Sequence, residues 1–309
     1  MAKVHAICEP FPAQGHITPM LHFAKLLNTN GVHIMLDGIS TGYEEARSCI
    51  HTSSPKGIRV RGRVTFPDGL PPTRGDLTQA FPALVLSLAQ NGIEHFVNVL
   101  RKVNGPASGR PPVTLMIFDC IVPFAHVAAR VVPDLPLVFF WPASACSHLG
   151  YGQFSALFEK GIVPFKDSEF MTDGSLDKLV DWVPSMKDVR LRDLPSFVRT
   201  TDENDPMMQY IISATEWCRG SPIVFNTFNA LEHESIEDIS KTLANGPIYT
   251  VGPLHNQVRN TTSNNESSIG SNLWEKDSKC KQWLDSKNPK SVVYVSFGSV
   301  AIMTNDELN

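Results

Sequence analysis

His16 stands in the segment Glu9 to Thr18 (EPFPAQGHIT), between a short apolar run, Val4 to Cys8, and a helical pattern. Asp119 directly follows a second apolar run, Val113 to Phe118. An imidazole with an ordinary pKa of about 6.5 can accept a proton at neutral pH. A carboxylate on its other ring nitrogen would fix the tautomer and stabilise the imidazolium. This chemistry selects His16 and Asp119 as a general-base pair. The same positions also admit a plainer reading, since a histidine before a helix is commonly solvated or capping and an aspartate after a strand commonly caps the next helix. A third polar segment, Pro142-Ala-Ser144-Ala-Cys146, follows the apolar run that ends at Trp141. His22, His33, His95 and His233 fall within helical or strand patterns and read as structural or solvated. Trp182, Trp217, Trp274 and Trp283 read as packing anchors.

Competing chemistries lack their motifs. No G-x-S-x-G elbow is present to supply a hydrolase nucleophile. Gly150-Tyr-Gly152-Gln-Phe-Ser155 lacks the third glycine of a dinucleotide fingerprint, and no G-x-x-x-x-G-K-[ST] loop or H-E-x-x-H helix occurs. Six cysteines are scattered singly, with no C-x-x-C pair to begin a zinc site, so no metal is expected. A base without a resident nucleophile suits activation of a hydroxyl on a bound substrate.

The elements that would position these groups alternate along the chain. Thr18-Pro19 resembles an N-cap with proline at the first helical position, Met20, Ala24 and Leu27 follow at helical spacing, and Asn30-Gly31 supplies a stop before a strand at Val32 to Leu36. Further apolar runs at Val113 to Phe118, Leu135 to Trp141, Pro222 to Phe225, Ile248 to Val251 and Val292 to Phe297 are mostly continuous, as in strands buried on both faces of a parallel sheet. Helical patterns lie between them, at Phe81 to Leu88 and Phe96 to Val103 for example. The expected fold class is α/β, a Rossmann-like doubly wound parallel sheet. Ligands of such sheets bind beyond the carboxyl ends of the strands, where the His16, Asp119 and Trp141 segments all fall.

Composition narrows the partners. The 309 residues carry a net charge of −4 and are 42% apolar. That supports a real core and offers no basic footprint for nucleic acid or an anionic membrane surface. No stretch approaches the ~18 apolar residues of a membrane span. Unpaired cysteines and the lack of a signal-peptide pattern fit a cytoplasmic protein. The segment Asn256 to Asn272 is almost wholly polar and reads as a linker. It divides the chain into an N-terminal domain at 1–253, a linker at 254–274 and the start of a second domain at 275–309. There Thr304 to Glu307 has capping-box spacing for a further helix.

Longer segments carry a resemblance. PFPAQGHITPMLHFAKLL (Pro10 to Leu27), FPDGLPP (Phe66 to Pro72), DWVPSMKDVRLRDLPSF (Asp181 to Phe197), NTFNALE (Asn226 to Glu232), YTVGPL (Tyr249 to Leu254) and KCKQWLDSKNPKSVVYVSFGS (Lys279 to Ser299) together resemble plant family-1 UDP-glycosyltransferases. Within that family the similarity points to the group acting on cyanohydrins, terpenoid alcohols, flavonoids and cytokinins. The resemblance implies a GT-B architecture of two Rossmann-like domains, the first for the acceptor and the second for most of the UDP-sugar. It implies that His16 deprotonates an acceptor hydroxyl while Asp119 orients the imidazole, and that glucose passes from UDP-glucose with inversion. UDP-glucose would be a co-substrate, with no metal or cofactor. Gly15, Gly298 and Ser299 are the implied donor-binding positions, and Gln14, Phe81, Trp141 and Ser144 the implied acceptor-pocket positions. The implied acceptor is a small hydrophobic alcohol or phenol. Pro142 stands where many relatives have threonine after the tryptophan, and Leu36 to Tyr43 differs from the family's usual segment. The family's long donor-binding signature would lie beyond Asn309, so the second domain is expected to be truncated. A catalytically inactive acceptor-binding module is the alternative.

Overall fold

The computed structural model describes residues 4–36, 38–40, 50–51, 65–71, 80–109, 111–261, 270–271 and 278–298. The expected strands at 113–118, 135–141, 222–225 and 248–251 form with trimmed ends, and a six-stranded sheet results. In chain order the strands are β1 (His5–Glu9), β2 (His33–Leu36), β3 (Gly38–Ser40), β4 (Ile50–His51), β5 (Thr65–Pro67), β6 (Leu115–Asp119), β7 (Leu137–Trp141), β8 (Ile223–Phe225), β9 (Ile248–Thr250) and β10 (Gly270–Ser271). The large sheet has the order β2-β1-β6-β7-β8-β9, and every pairing in it is parallel. The chain leaves β1 for β2 on one side, then returns to place β6 on the other. The strand order therefore reverses at β1 and β6, which is where a ligand crevice opens in such a sheet.

The helices are α1 (Gln14–Thr29), α2 (Phe81–Asn104), α3 (Ala125–Val131), α4 (Ala145–Tyr151), α5 (Gln153–Glu159), α6 (Pro206–Trp217), α7 (Asn229–Thr242), α8 (Leu254–Thr261) and α9 (Ser278–Asp285). Both sheet faces are covered, which is why its strands read as continuous apolar runs. Alternate residues enter two separate cores. Ile7, Met116, Phe118, Phe139 and Phe225 enter the larger, together with the buried side of α2. Ala6, Cys8, Ile117, Phe140 and Val224 enter the smaller, with Met20, Leu21 and Ala24 of α1 and Leu254 of α8. Aromatic rings fill both: Phe118 packs edge-on against Phe96 and Phe124, and Phe140 stacks on Phe23 at 5.1 Å.

Four local expectations change. Helix α1 begins at Gln14, with Ala13 as its extended cap, rather than at Thr18-Pro19. The carbonyl of Ala13 accepts from the amides of His16 and Ile17, while the Thr18 hydroxyl accepts from the Gln14 side chain at 2.8 Å. Pro19 consequently sits inside the helix. Having no N–H, Pro19 cannot donate to the Gly15 carbonyl as a regular helix residue would. The two helical patterns from Phe81 to Val103 are one continuous helix, α2. The polar segment expected to be linker begins as helix, since Leu254 and Val258 of α8 are buried and Gln257 donates to the Val251 carbonyl. Finally, 291–298 adopt no strand. Val293 and Tyr294 are each 86% exposed. A strand is held by ladder partners and covered faces, and among the described residues this segment has neither. Ser299 and the capping box at Thr304 to Glu307 lie outside the described residues, as do Trp274 and, within 36–43, residues 37 and 41–43.

Candidate active site

The period-two alternation that builds the two cores also aims Asp119. Phe118 points into the larger core and Ile117 into the smaller, so Asp119, the last residue of β6, turns toward the face covered by α1. There His16 occupies the first turn of α1 rather than the loop expected from sequence. His16 Nδ1 and Asp119 Oδ2 are 2.7 Å apart. The aspartate is fully buried, whereas the His16 side chain keeps 24% exposure.

Both carboxylate oxygens are occupied, because Oδ1 accepts the Ile121 amide at 3.1 Å. An ionised carboxylate only accepts, so the proton of neutral His16 is placed on Nδ1. The lone pair is left on Nε2. This combination of a locked carboxylate and a partly open imidazole is what a general base requires. Phe11, fully buried, meets the His16 ring edge-on at 5.6 Å and restricts its tilt. Aromatic contact continues from Phe11 to Phe81 at 5.3 Å and from Phe81 to Phe197 at 5.5 Å.

That aromatic chain ends at a small apolar cavity of about 30 Å³, lined by Phe81 and Phe197 but not by His16 or Asp119. Phe81, Cys120, Ile121, Trp141, His148, Tyr151, Phe197, Tyr210, Ile211 and Cys218 line it. Two of the candidate pocket residues, Phe81 and Trp141, are thus brought together on its wall. Trp141 is held by donation from its indole N–H to the Ser144 carbonyl at 2.9 Å and to Ser147 Oγ at 3.1 Å. The Tyr210 hydroxyl donates to the Ile121 carbonyl, tying α6 to the loop after β6. Burial pushes the Cys120 thiol upward, with a contribution from its contact with Cys218. It is therefore held as the protonated thiol rather than as a nucleophilic thiolate.

The remaining candidates are dispersed. Ser144 caps α4, its hydroxyl accepting the Ser147 amide at 3.1 Å, and it lines a second cleft with Asn226, Thr227 and Glu232 instead of the apolar cavity. The Gln14 amide bonds to Thr18. Gly15 is exposed in the first turn of α1, and a Cβ there would meet no atom within 4 Å. Gly298 is exposed, with a φ of +85° that suits glycine. No group of three or more His, Cys, Asp or Glu able to hold a metal occurs among the described residues. No helix among them is long and apolar enough to cross a membrane.

Sequence reasoning missed Tyr210 and Phe197 as cavity residues. It also missed Glu232, whose two oxygens accept the Ala145 and Cys146 amides at 2.9 Å each. That carboxylate, arriving from α7, caps the orphan donors of α4 and thereby positions the segment after Trp141.

No protein-family model matches the chain. Over 308 residues it is 42% identical to 7-deoxyloganetin glucosyltransferase of Catharanthus roseus, covering 99% of this chain and 63% of that protein. Over 309 residues it is 43% identical to (R)-mandelonitrile beta-glucosyltransferase of Prunus dulcis, with 99% and 63% covered. Among solved structures, Os79 from O. sativa in complex with UDP superposes with a TM-score of 0.66 at 21% identity, covering 98% of this chain and 63% of that one. The fold is thus the α/β GT-B type, and the chain spans about 63% of the length of the curated relatives it matches. On the strength of 42–43% identity across nearly its whole extent, the chain belongs to the plant UDP-glycosyltransferases.

Proposed function

We propose that this chain carries the acceptor-binding and proton-accepting part of a UDP-glucose-dependent glucosyltransferase acting on a hydroxyl of a small hydrophobic alcohol or phenol. The observation that carries this reading is the 2.7 Å contact between His16 Nδ1 and the buried Asp119, at the point where the strand order reverses. The acceptor packs against the aromatic chain of Phe11, Phe81 and Phe197 with its hydroxyl toward His16 Nε2. Nε2 takes the hydroxyl proton as the acceptor oxygen bonds to the anomeric carbon of glucose. The bond from that carbon to the diphosphate breaks on the opposite face, and UDP leaves with the electron pair. In-line attack inverts the anomeric centre and yields a β-glucoside. Asp119 holds the tautomer and balances the imidazolium charge as it forms.

Gly15 supports this reading, because a first helical turn without a side chain leaves backbone amides open to an anionic donor. Gly298, Ser299 and residues in the remaining length of the relatives would complete the donor site. No cofactor or metal takes part in this scheme. The thiols Cys8, Cys120, Cys146, Cys218 and Cys280 are all unpaired, which suits a reducing cytoplasm.

The test is glucose transfer from UDP-glucose to simple phenols, using the chain and the chain extended to the length of its relatives. Wild type is expected to form the β-glucoside, and His16→Ala to bind the phenol but not glucosylate it. Turnover retained in His16→Ala overturns the assignment. Phenol binding without transfer in every form supports the acceptor-binding module instead.

A further inference from the structure

Asp119 is the last residue of β6, and the chain behind it turns at once. The Cys120 amide still donates to the Phe140 carbonyl of β7 at 3.1 Å, and the Val122 amide returns to the Asp119 carbonyl at 3.0 Å. Inside that turn, Ile121 has both backbone groups committed. Its N–H donates to Asp119 Oδ1 at 3.1 Å, and its carbonyl accepts from the hydroxyl of Tyr210 on α6. The Ile121 side chain is only half-buried, so it contributes less than a core residue to fixing the turn. Tyr210, by contrast, arrives from a helix fixed on its own account. Asp205 caps α6 by accepting the Met207 and Met208 amides at 2.9 and 3.0 Å, and Met208, Ile211 and Ala214 are buried in the larger core.

These bonds form one continuous series. The Tyr210 hydroxyl donates to the Ile121 carbonyl, the Ile121 amide to Asp119 Oδ1, and Asp119 Oδ2 meets His16 Nδ1 at 2.7 Å. The carboxylate torsion of an aspartate is broad when left to itself, so holding Oδ1 is what directs Oδ2. Resting on the proton-accepting role proposed for His16, we propose that Tyr210 is a positioning residue for the reaction: its hydroxyl fixes Ile121, whose amide holds the Asp119 carboxylate in line with the imidazole. Tyr210 acts through Asp119 and touches none of the reacting atoms. Burial pushes its hydroxyl well above the ordinary tyrosine range, and the nearby Asp119 charge adds to this. The group therefore stays protonated and keeps donating at neutral and mildly alkaline pH. Without that donor, the Ile121 carbonyl is left unsatisfied, and the turn and Asp119 Oδ1 are free to shift together. Substitution by phenylalanine removes a single oxygen while keeping the ring and its edge-on contact with Trp217 at 5.9 Å.

Tyr210→Phe tests this beside Ile239→Val, which trims a fully buried residue of α7 at a stability cost of similar size and leaves the series untouched. In the 309-residue chain, exchange of the His16 Nδ1 proton with water is followed by NMR near pH 8. Loss of one net hydrogen bond predicts exchange roughly fivefold faster in Tyr210→Phe, and none of this change in Ile239→Val although its urea midpoint falls. In the chain extended to its relatives' length, kcat for phenol glucosylation should fall by a similar factor in Tyr210→Phe, with acceptor Kd unchanged. Either quantity unchanged in Tyr210→Phe, or the same change in Ile239→Val, overturns the positioning role, as does a loss confined to acceptor Kd; the base assignment is then left intact. If the wild-type His16 ring carries no proton on Nδ1, or His16→Ala retains turnover, the base assignment fails and this inference falls with it.

Discussion

Asp119→Asn isolates what the carboxylate does for His16, because the substitution is nearly isosteric and the site is fully buried. In the wild type, Oδ1 accepts the Ile121 amide and Oδ2 faces His16 Nδ1. In the variant, the Ile121 donor will hold the single side-chain oxygen of the introduced asparagine in the Oδ1 position. The amide NH2 must then face Nδ1. A donor facing Nδ1 forces that nitrogen to accept, moves the ring proton to Nε2 and removes the lone pair that takes the acceptor's proton. The charge-assisted bond alone contributes about 1.5–3 kcal/mol, or roughly 10- to 150-fold in rate. The tautomer reversal adds to it, as the comparable substitution in serine proteases shows with a loss of about 10⁴. The expected fall in kcat for phenol glucosylation is therefore about 10² to 10⁴, with acceptor affinity little changed. The assay is glucoside formation from UDP-glucose in the chain extended to its relatives' length, with acceptor Kd measured separately. A kcat within threefold of wild type, or a loss confined to acceptor binding, would show that Asp119 does not set the His16 tautomer for proton transfer.

Other perturbations follow from the same geometry. Glu232→Ala removes the acceptor for two α4 amides and should destabilise the fold by about 1–3 kcal/mol, seen as a lower urea midpoint, whereas Glu232→Gln should recover part of this. Phe96→Ala empties a fully buried site against Phe118 and Phe124; a loss of about 3–5 kcal/mol is expected in the same measurement. His148 gives a pH signature. Burial lowers its pKa from 6.5 to about 4, so the unfolded chain takes up a proton at a higher pH than the folded one. Its contribution to stability is full above pH 6.5, falls as pH drops toward 4 and is constant below that. By pH 5 wild type should have lost about 2 kcal/mol relative to His148→Phe when urea midpoints at pH 7 and pH 5 are compared.

Much of the architecture was legible because buried parallel strands write themselves as continuous apolar runs, and β1, β2, β6, β7, β8 and β9 all did so. The His16 and Asp119 pairing was legible as well, since both lie at carboxyl ends of strands and such ends converge on one rim. What sequence obscured was anything set by distant packing. Thr18-Pro19 carries a strong helix-start signal, yet the Ala13 carbonyl takes the His16 and Ile17 amides and the helix begins earlier, which moves His16 from a loop onto α1. Ser144 resembles a pocket hydroxyl, but it is a cap, and its neighbours' amides are claimed by Glu232 from α7. Tyr210 and Phe197 reach the cavity only through the way α6 and the preceding turns fold over the sheet. No local spacing announces that. Val292 to Phe297 has a strand's composition without a partner among the described residues, and composition alone does not make a ladder.

The proposed base catalysis requires Asp119 to hold His16 with its proton on Nδ1 and its basic lone pair on Nε2. Nitrogen-15 NMR of the imidazole in the 309-residue chain near pH 8 reads this directly. The His16 ring is expected to be protonated at Nδ1 in wild type, reversed to Nε2–H in Asp119→Asn. An Nε2–H tautomer in wild type, or a spectrum indifferent to the Asp119 substitution, would contradict it.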